Sequence, residues 1–95
     1  AKVTLKPGEG IAGTVLVTGR GEIINNLQND PRFIKGKNKI SSIICIPLRV
    51  RNETIGVMNI STEEPFEYTS EDYKVMTTLA TLAVYAISAT NPLYV

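Results

Sequence analysis

Apolar positions keep their clearest period in the last third of the chain. Val75, Met76, Leu79, Ala80, Leu82, Ala83, Ala86 and Ile87 recur at helical intervals, which predicts a helix to about Thr90, stopped by Asn91 and Pro92. Its start is marked by Thr69-Ser70-Glu71-Asp72, the form of a capping box. Thr69 is the expected N-cap, and Asp72, shorter than the preferred Glu or Gln, is expected to reach back to the Thr69 N–H. From Val75 to the C-terminal Val95 there is no charged residue. A helix lying on one sheet face would carry charge on its outer side. The outer stripe here is Thr77, Thr78, Thr81, Tyr85 and Ser88, so a second protein neighbour is expected for this helix.

The middle of the chain has a different pattern. Residues 41–50 (SSIICIPLRV) and 54–60 (TIGVMNI) are rich in β-formers and are separated by Arg51-Asn52-Glu53, which predicts an antiparallel hairpin. Alternation is weak because both faces carry apolar side chains, so the sheet is expected to be covered on both sides. Pro47 has no N–H for a ladder and predicts a bulge or local break. Upstream, residues 10–18 predict a short helix stopped by Gly19 and Gly21, and residues 22–27 (EIINNL) predict a strand. Asp30-Pro31 then predicts a single helical turn through Arg32, Phe33 and Ile34, with Asp30 as its cap. A basic loop, residues 35–39, completes the pattern, and no repeat interrupts it.

Composition narrows the chemistry. Ninety-five residues suit one domain, and 10 basic against 9 acidic residues give no global field directed at nucleic acid or an anionic membrane. No apolar run is long enough to insert into a membrane. The single cysteine, Cys45, excludes an internal disulfide framework and fits a reducing compartment. With no visible signal peptide, a cytoplasmic location is expected. Histidine is absent, so His-based triads, His-ligated haem and the usual zinc sites are excluded within this chain.

Gly8 to Gly13 (GEGIAG) has the spacing of a dinucleotide-binding glycine turn, and Asp30 lies near the distance of a ribose-binding acid. The context contradicts that reading. Pro7 precedes the first glycine, only about two helical turns fit before Gly19, and a hairpin follows where a crossover helix is required. The glycines are better read as shaping a tight helix entrance.

The same residues belong to a longer pattern. GEGIAGTV through Thr18-Gly19, then Ile23-Ile24-Asn25, Asp30-Pro31-Arg32-Phe33, SIICIPL, IGVMNI and YTSED occur in the order of a GAF domain, which the whole chain resembles. The resemblance implies an α+β fold: an antiparallel sheet with helices on both faces, in a single, partial domain over residues 1–95. A GAF domain's first helix and two strands would precede the glycine turn and are expected to be missing, with Lys2 to Lys6 as their tail. The strand at residues 54–60 would then have an open edge.

The resemblance also implies a sensory or regulatory role. A small molecule would bind noncovalently, and helix packing in a homodimer, through the helix from Val75 to Thr90, would relay it to an effector domain such as a kinase, cyclase or transcription activator. The implied pocket residues are Asn25, Asn26, Asp30, Phe33, Ser41, Ser42 and Asn59. For Asn25 and Asn26 as a strand end, Asp30 as a turn cap and Phe33 as core, a purely structural role is equally open. A ligand-free dimerisation module is the alternative.

Cyclic-nucleotide binding is poorly supported by comparison with members that bind it. Ser61-Thr62 stands where those members carry Asn-Lys, Tyr68 replaces a Phe, and Asp72 is followed by Tyr73. Sulfoxide-reducing members use more than one reactive cysteine; Cys45 alone in an apolar strand is expected to be core, and no enzymatic activity or cofactor is expected. Arg32, Lys35, Lys37 and Lys39 read as a solvated loop rather than an anion site.

Overall fold

The structure, a computed structural model, describes residues 10–33 and 39–90. Among them the order is α1 (Gly10–Thr18), β1 (Glu22–Ile24), a 3-10 turn (Leu27–Asn29), β2 (Ser42–Val50), β3 (Glu53–Thr62) and α2 (Ser70–Thr90). The three strands form one antiparallel sheet in the order β1-β2-β3.

Neighbouring residues of β2 point to opposite faces and seed two cores. On one face Cys45 packs with Ile11 and Val15 of α1 and with Leu27; Ile43, Ile24, Phe33, Ile40 and Val57 surround them. On the other, Ile44 and Ile46 pack with Ala80 of α2, flanked by Ile23, Leu48, Met58, Tyr68, Tyr73 and Met76. Helices therefore cover both faces, and β2 is apolar on both sides for that reason. The resemblance implied this α+β arrangement.

Most element ends have local causes. Gly10 (φ +63°) opens α1, and Gly19 (φ +68°) closes it with its N–H on the Val15 carbonyl at 2.9 Å. In α2, the Asp72 N–H donates to Thr69 Oγ1 at 3.2 Å and the Thr69 N–H donates to Asp72 Oδ2 at 2.8 Å, the reciprocal cap expected there. The hairpin turns on Arg51 (φ +50°) and Asn52 (φ +67°), the backbone of a two-residue type I′ turn. The irregularity expected at Pro47 is a register shift between Leu48 and Arg49. Pro47 is tolerated because β1 ends opposite Cys45, so Pro47 pairs with Val57 alone.

Two of the following three expectations need correction. The strand expected over 22–27 stops at Ile24, because Asn25 turns its side chain to Tyr68 and Leu27 begins the 3-10 turn. The turn expected at Pro31 is present as far as Phe33: the Asp30 carbonyl accepts the Phe33 N–H at 3.0 Å and Asp30 Oδ1 accepts the Arg32 N–H at 2.8 Å, while Ile34 lies outside the described residues. The apolar positions of α2 also do not share one face. Met76 and Ala80 meet the sheet, while Val75, Leu79 and Leu82 are 56%, 47% and 59% exposed. The apolar set is wider than the strip the sheet can cover. Gly8, residues 34–38 and Asn91-Pro92 lie outside the described residues, and with them most of the basic loop.

Candidate functional site

An open cleft of about 480 Å³ lies where the sheet meets the segment leading into α2; Asn25, Asn26, Gln28, Ser41, Pro65, Phe66 and Glu67 line it. Three of the expected ligand residues, Asn25, Asn26 and Ser41, are brought together here.

Several polar groups at this end of the fold are already engaged. Asn25 Nδ2 donates to the Tyr68 carbonyl at 3.0 Å while Asn25 Oδ1 accepts the Tyr68 N–H at 2.8 Å, reproducing with one side chain the exchange of an antiparallel pair. Ser41 Oγ donates to the Glu63 carbonyl at 2.7 Å, and Gln28 Nε2 donates to the Ile40 carbonyl at 2.8 Å. Ser42 is fully buried beside the cleft, its hydroxyl facing the carbonyls of Phe66 at 2.5 Å and Asn25 at 3.1 Å. Asn26 and Glu67 stay exposed in the lining, beside a Phe66 ring that is 52% exposed and meets Tyr68 edge-on, with centroids 5.0 Å apart.

The other expected residues do not line this cleft. Phe33 packs against the α1-side core. Asn59 pairs with Cys45 in the register, so it faces the α1 side, exposed, in a row with Glu22. Asp30 belongs to an ion-pair cluster. The Arg32 guanidinium donates to both oxygens of Glu22 (3.0 and 2.8 Å) and both of Asp30 (3.0 and 2.8 Å). Those bonds hold the Asp30 carboxyl below its ordinary value and Arg32 above its own, first through the Asp30–Arg32 hydrogen bonds. Arg32 is thereby removed from the solvated basic loop it was expected to join.

Cys45 is fully buried, and burial, followed by the nearby Glu22 charge, pushes its thiol up to about 11. A thiol in that state is a poor nucleophile. Among the described residues no group of three or more His, Cys, Asp or Glu could hold a metal ion, and no helix is long and apolar enough to cross a membrane.

A second, larger groove of about 590 Å³ runs between α2 and the hairpin end of β2, walled by Ile46, Pro47, Val50, Ala80 and Val84. Neither this groove nor the Phe66 and Glu67 edge of the cleft was read from the sequence. Both depend on how residues 63–69 lay α2 across the sheet, and no local pattern encodes that.

Comparison with known proteins agrees with this architecture. At 28% identity over 92 residues, the chain is similar to the Nif-specific regulatory protein of Azospirillum lipoferum, covering 86% of this chain and 15% of that protein. Its fold is similar to the GAF domain of a phosphoenolpyruvate-protein phosphotransferase from Coxiella burnetii, with TM-score 0.81, 21% identity and coverage of 97% of this chain and 58% of that one. It is equally similar to the free methionine-R-sulfoxide reductase of Neisseria meningitidis solved with its substrate, with TM-score 0.81, 21% identity and coverage of 92% and 52%. At such identities the two structures show the fold alone, and the chain spans only about half of each. The family model for the GAF domain matches residues 1–88, so the chain belongs to the GAF domain family.

Proposed function

We propose that this GAF domain is a noncatalytic sensory or regulatory module of a longer, cytoplasmic signal-transduction protein. It binds a small ligand noncovalently and relays occupancy to an effector domain through packing of α2 against α2 of a second copy. The observation that carries the reading is the state of α2. The helix is anchored to the sheet by Tyr73, Met76 and Ala80, yet leaves Val75, Leu79 and Leu82 exposed at four- and three-residue spacing, with no charge after Lys74. That spacing forms a continuous apolar seam along a helix. Similarity to a Nif-specific regulatory protein supports a regulatory context.

The ligand seat proposed is the cleft of Asn25, Asn26 and Ser41, where Asn26, Phe66 and Glu67 remain exposed for contact. Asp72 is engaged in the α2 cap, which leaves cyclic-nucleotide binding without support. The buried Cys45 thiol argues against sulfoxide reduction despite the shared fold with reductases.

Light scattering on the 95-residue chain tests the dimer: the expected result is twice the monomer mass, and Leu79→Lys with Leu82→Glu should return it to monomer. A monomeric parent overturns the relay. A thermal-shift screen of small polar solutes tests the ligand. The rival reading, a ligand-free dimerisation module, is favoured by one observation: Asn25, Ser41 and Ser42 have their polar atoms engaged internally. A dimer without any stabilising solute would select that rival.

A further inference from the structure

Residues 63–68 join β3 to α2 and form one wall of the cleft through Pro65, Phe66 and Glu67. No main-chain hydrogen bond fastens this segment to the rest of the described residues. Side chains do so instead: Ser41 holds the Glu63 carbonyl, Ser42 the Phe66 carbonyl, and Asn25 both main-chain groups of Tyr68. The next residue is Thr69, whose N–H and hydroxyl both meet Asp72 Oδ2 in the cap of α2. The Tyr68 ring packs beside Tyr73 and Met76 against the α2-side core.

We infer that Asn25 is the positioning residue that links the cleft to α2. Its amide holds Tyr68 in place, and Tyr68 sets where the first turn of α2 begins. A molecule wedged between Asn26 and Phe66 has the linker as one wall, so a pose that displaces the linker tightens or strains the Asn25–Tyr68 pair. A shift there is delivered to the cap one residue later and then along a rigid helix. Coupling by this route requires that the ligand bind one linker position better than another. This inference rests on the cleft being the ligand seat proposed above. The Asn25–Tyr68 link itself can be tested without any ligand.

The test compares amide hydrogen exchange in the 95-residue chain with that of the Asn25→Ala and Asn25→Asp variants. Asn25→Ala should speed exchange in the first turns of α2, residues 72–77, by on the order of tenfold, as expected for loss of roughly two hydrogen bonds of ordinary net strength. Protection in α1 should stay unchanged. In Asn25→Asp the acceptor for the Tyr68 N–H survives but the donor becomes an oxygen facing the Tyr68 carbonyl, so the same α2 amides should exchange faster, again with α1 unaffected. If Asn25→Ala does not fold, Asn25→Asp alone decides. Unchanged α2 exchange overturns the inference. An equal rise in α1 and α2 does so too, because it marks a purely structural residue. A failed solute screen would instead remove the sensory reading and leave the Asn25 link standing, so the two failures are separable.

Discussion

Arg32 places one guanidinium between two carboxylates, Glu22 on β1 and Asp30 at the exit of the 3-10 turn, and its own N–H also donates to Asp30. All three side chains are partly exposed, at 31%, 29% and 15% for Arg32, Glu22 and Asp30, so solvent screens them. Arg32→Ala should therefore cost about 1–2 kcal/mol, a lost charged hydrogen-bond cluster discounted for that screening. The pH dependence has a definite sign. Asp30 has a lowered folded pKa, so its contribution is complete above its ordinary value of 3.8 and is lost as pH falls through the folded value. The stability gap between the parent and Asp30→Asn should be flat at neutral pH and close below about pH 4 in urea titrations. Cys45 makes a second prediction at this scale. With its thiol raised to about 11, it should not react with a disulfide reagent at pH 8 until denaturant is added.

At the scale of elements, legibility in the sequence followed how local each cause was. The N-terminal cap of α2, the two glycines bounding α1 and the hairpin are set by residues a few positions apart, and they were readable. The end of β1 was not, because a contact 43 residues away, Asn25 to Tyr68, decides it. The Asp30-capped turn at Pro31 was readable, because its bonds from the Arg32 and Phe33 N–H groups span only two and three residues. The candidate site was legible only in part: Asn25, Asn26 and Ser41 converge, whereas Asp30, Phe33 and Asn59 are distributed over the α1 side. The hairpin turn carries its own prediction. Arg51 and Asn52 both sit at positive φ, where a side chain costs on the order of 1 kcal/mol relative to glycine. Replacing the pair by Asn-Gly should stabilise the chain by about 1 kcal/mol, read as a rise of roughly 4–8 °C in Tm.

Across the whole molecule, the α1–β1 connector passes close to Tyr73 of α2. A methyl group on Gly21 would overlap the Tyr73 hydroxyl and come within 2.8 Å of its ring, and one on Gly19 would overlap the Arg49 guanidinium. Gly21→Ala must therefore displace Tyr73 of α2, at a cost of about 1–3 kcal/mol. Adding Tyr73→Ala should remove the clash, so the double variant should be more stable than the sum of the two single effects. A thermodynamic cycle measured by chemical denaturation checks this, and simple additivity would refute it.

Strand β2 is the layer shared by both cores, and that position has a consequence for how the protein behaves when it is not folded. Ile43-Ile44-Cys45-Ile46 is uncharged, β-branched except at the cysteine, and apolar on both faces, the composition of a segment that stacks into cross-β assemblies. In the native state α1 and α2 shield it from opposite sides. Pro47 and Arg49 follow at once, the kind of residues that interrupt such stacking. The same strand that lets one sheet serve two helices thus makes partial unfolding hazardous, and its gatekeepers stand at the end that β1 leaves uncovered.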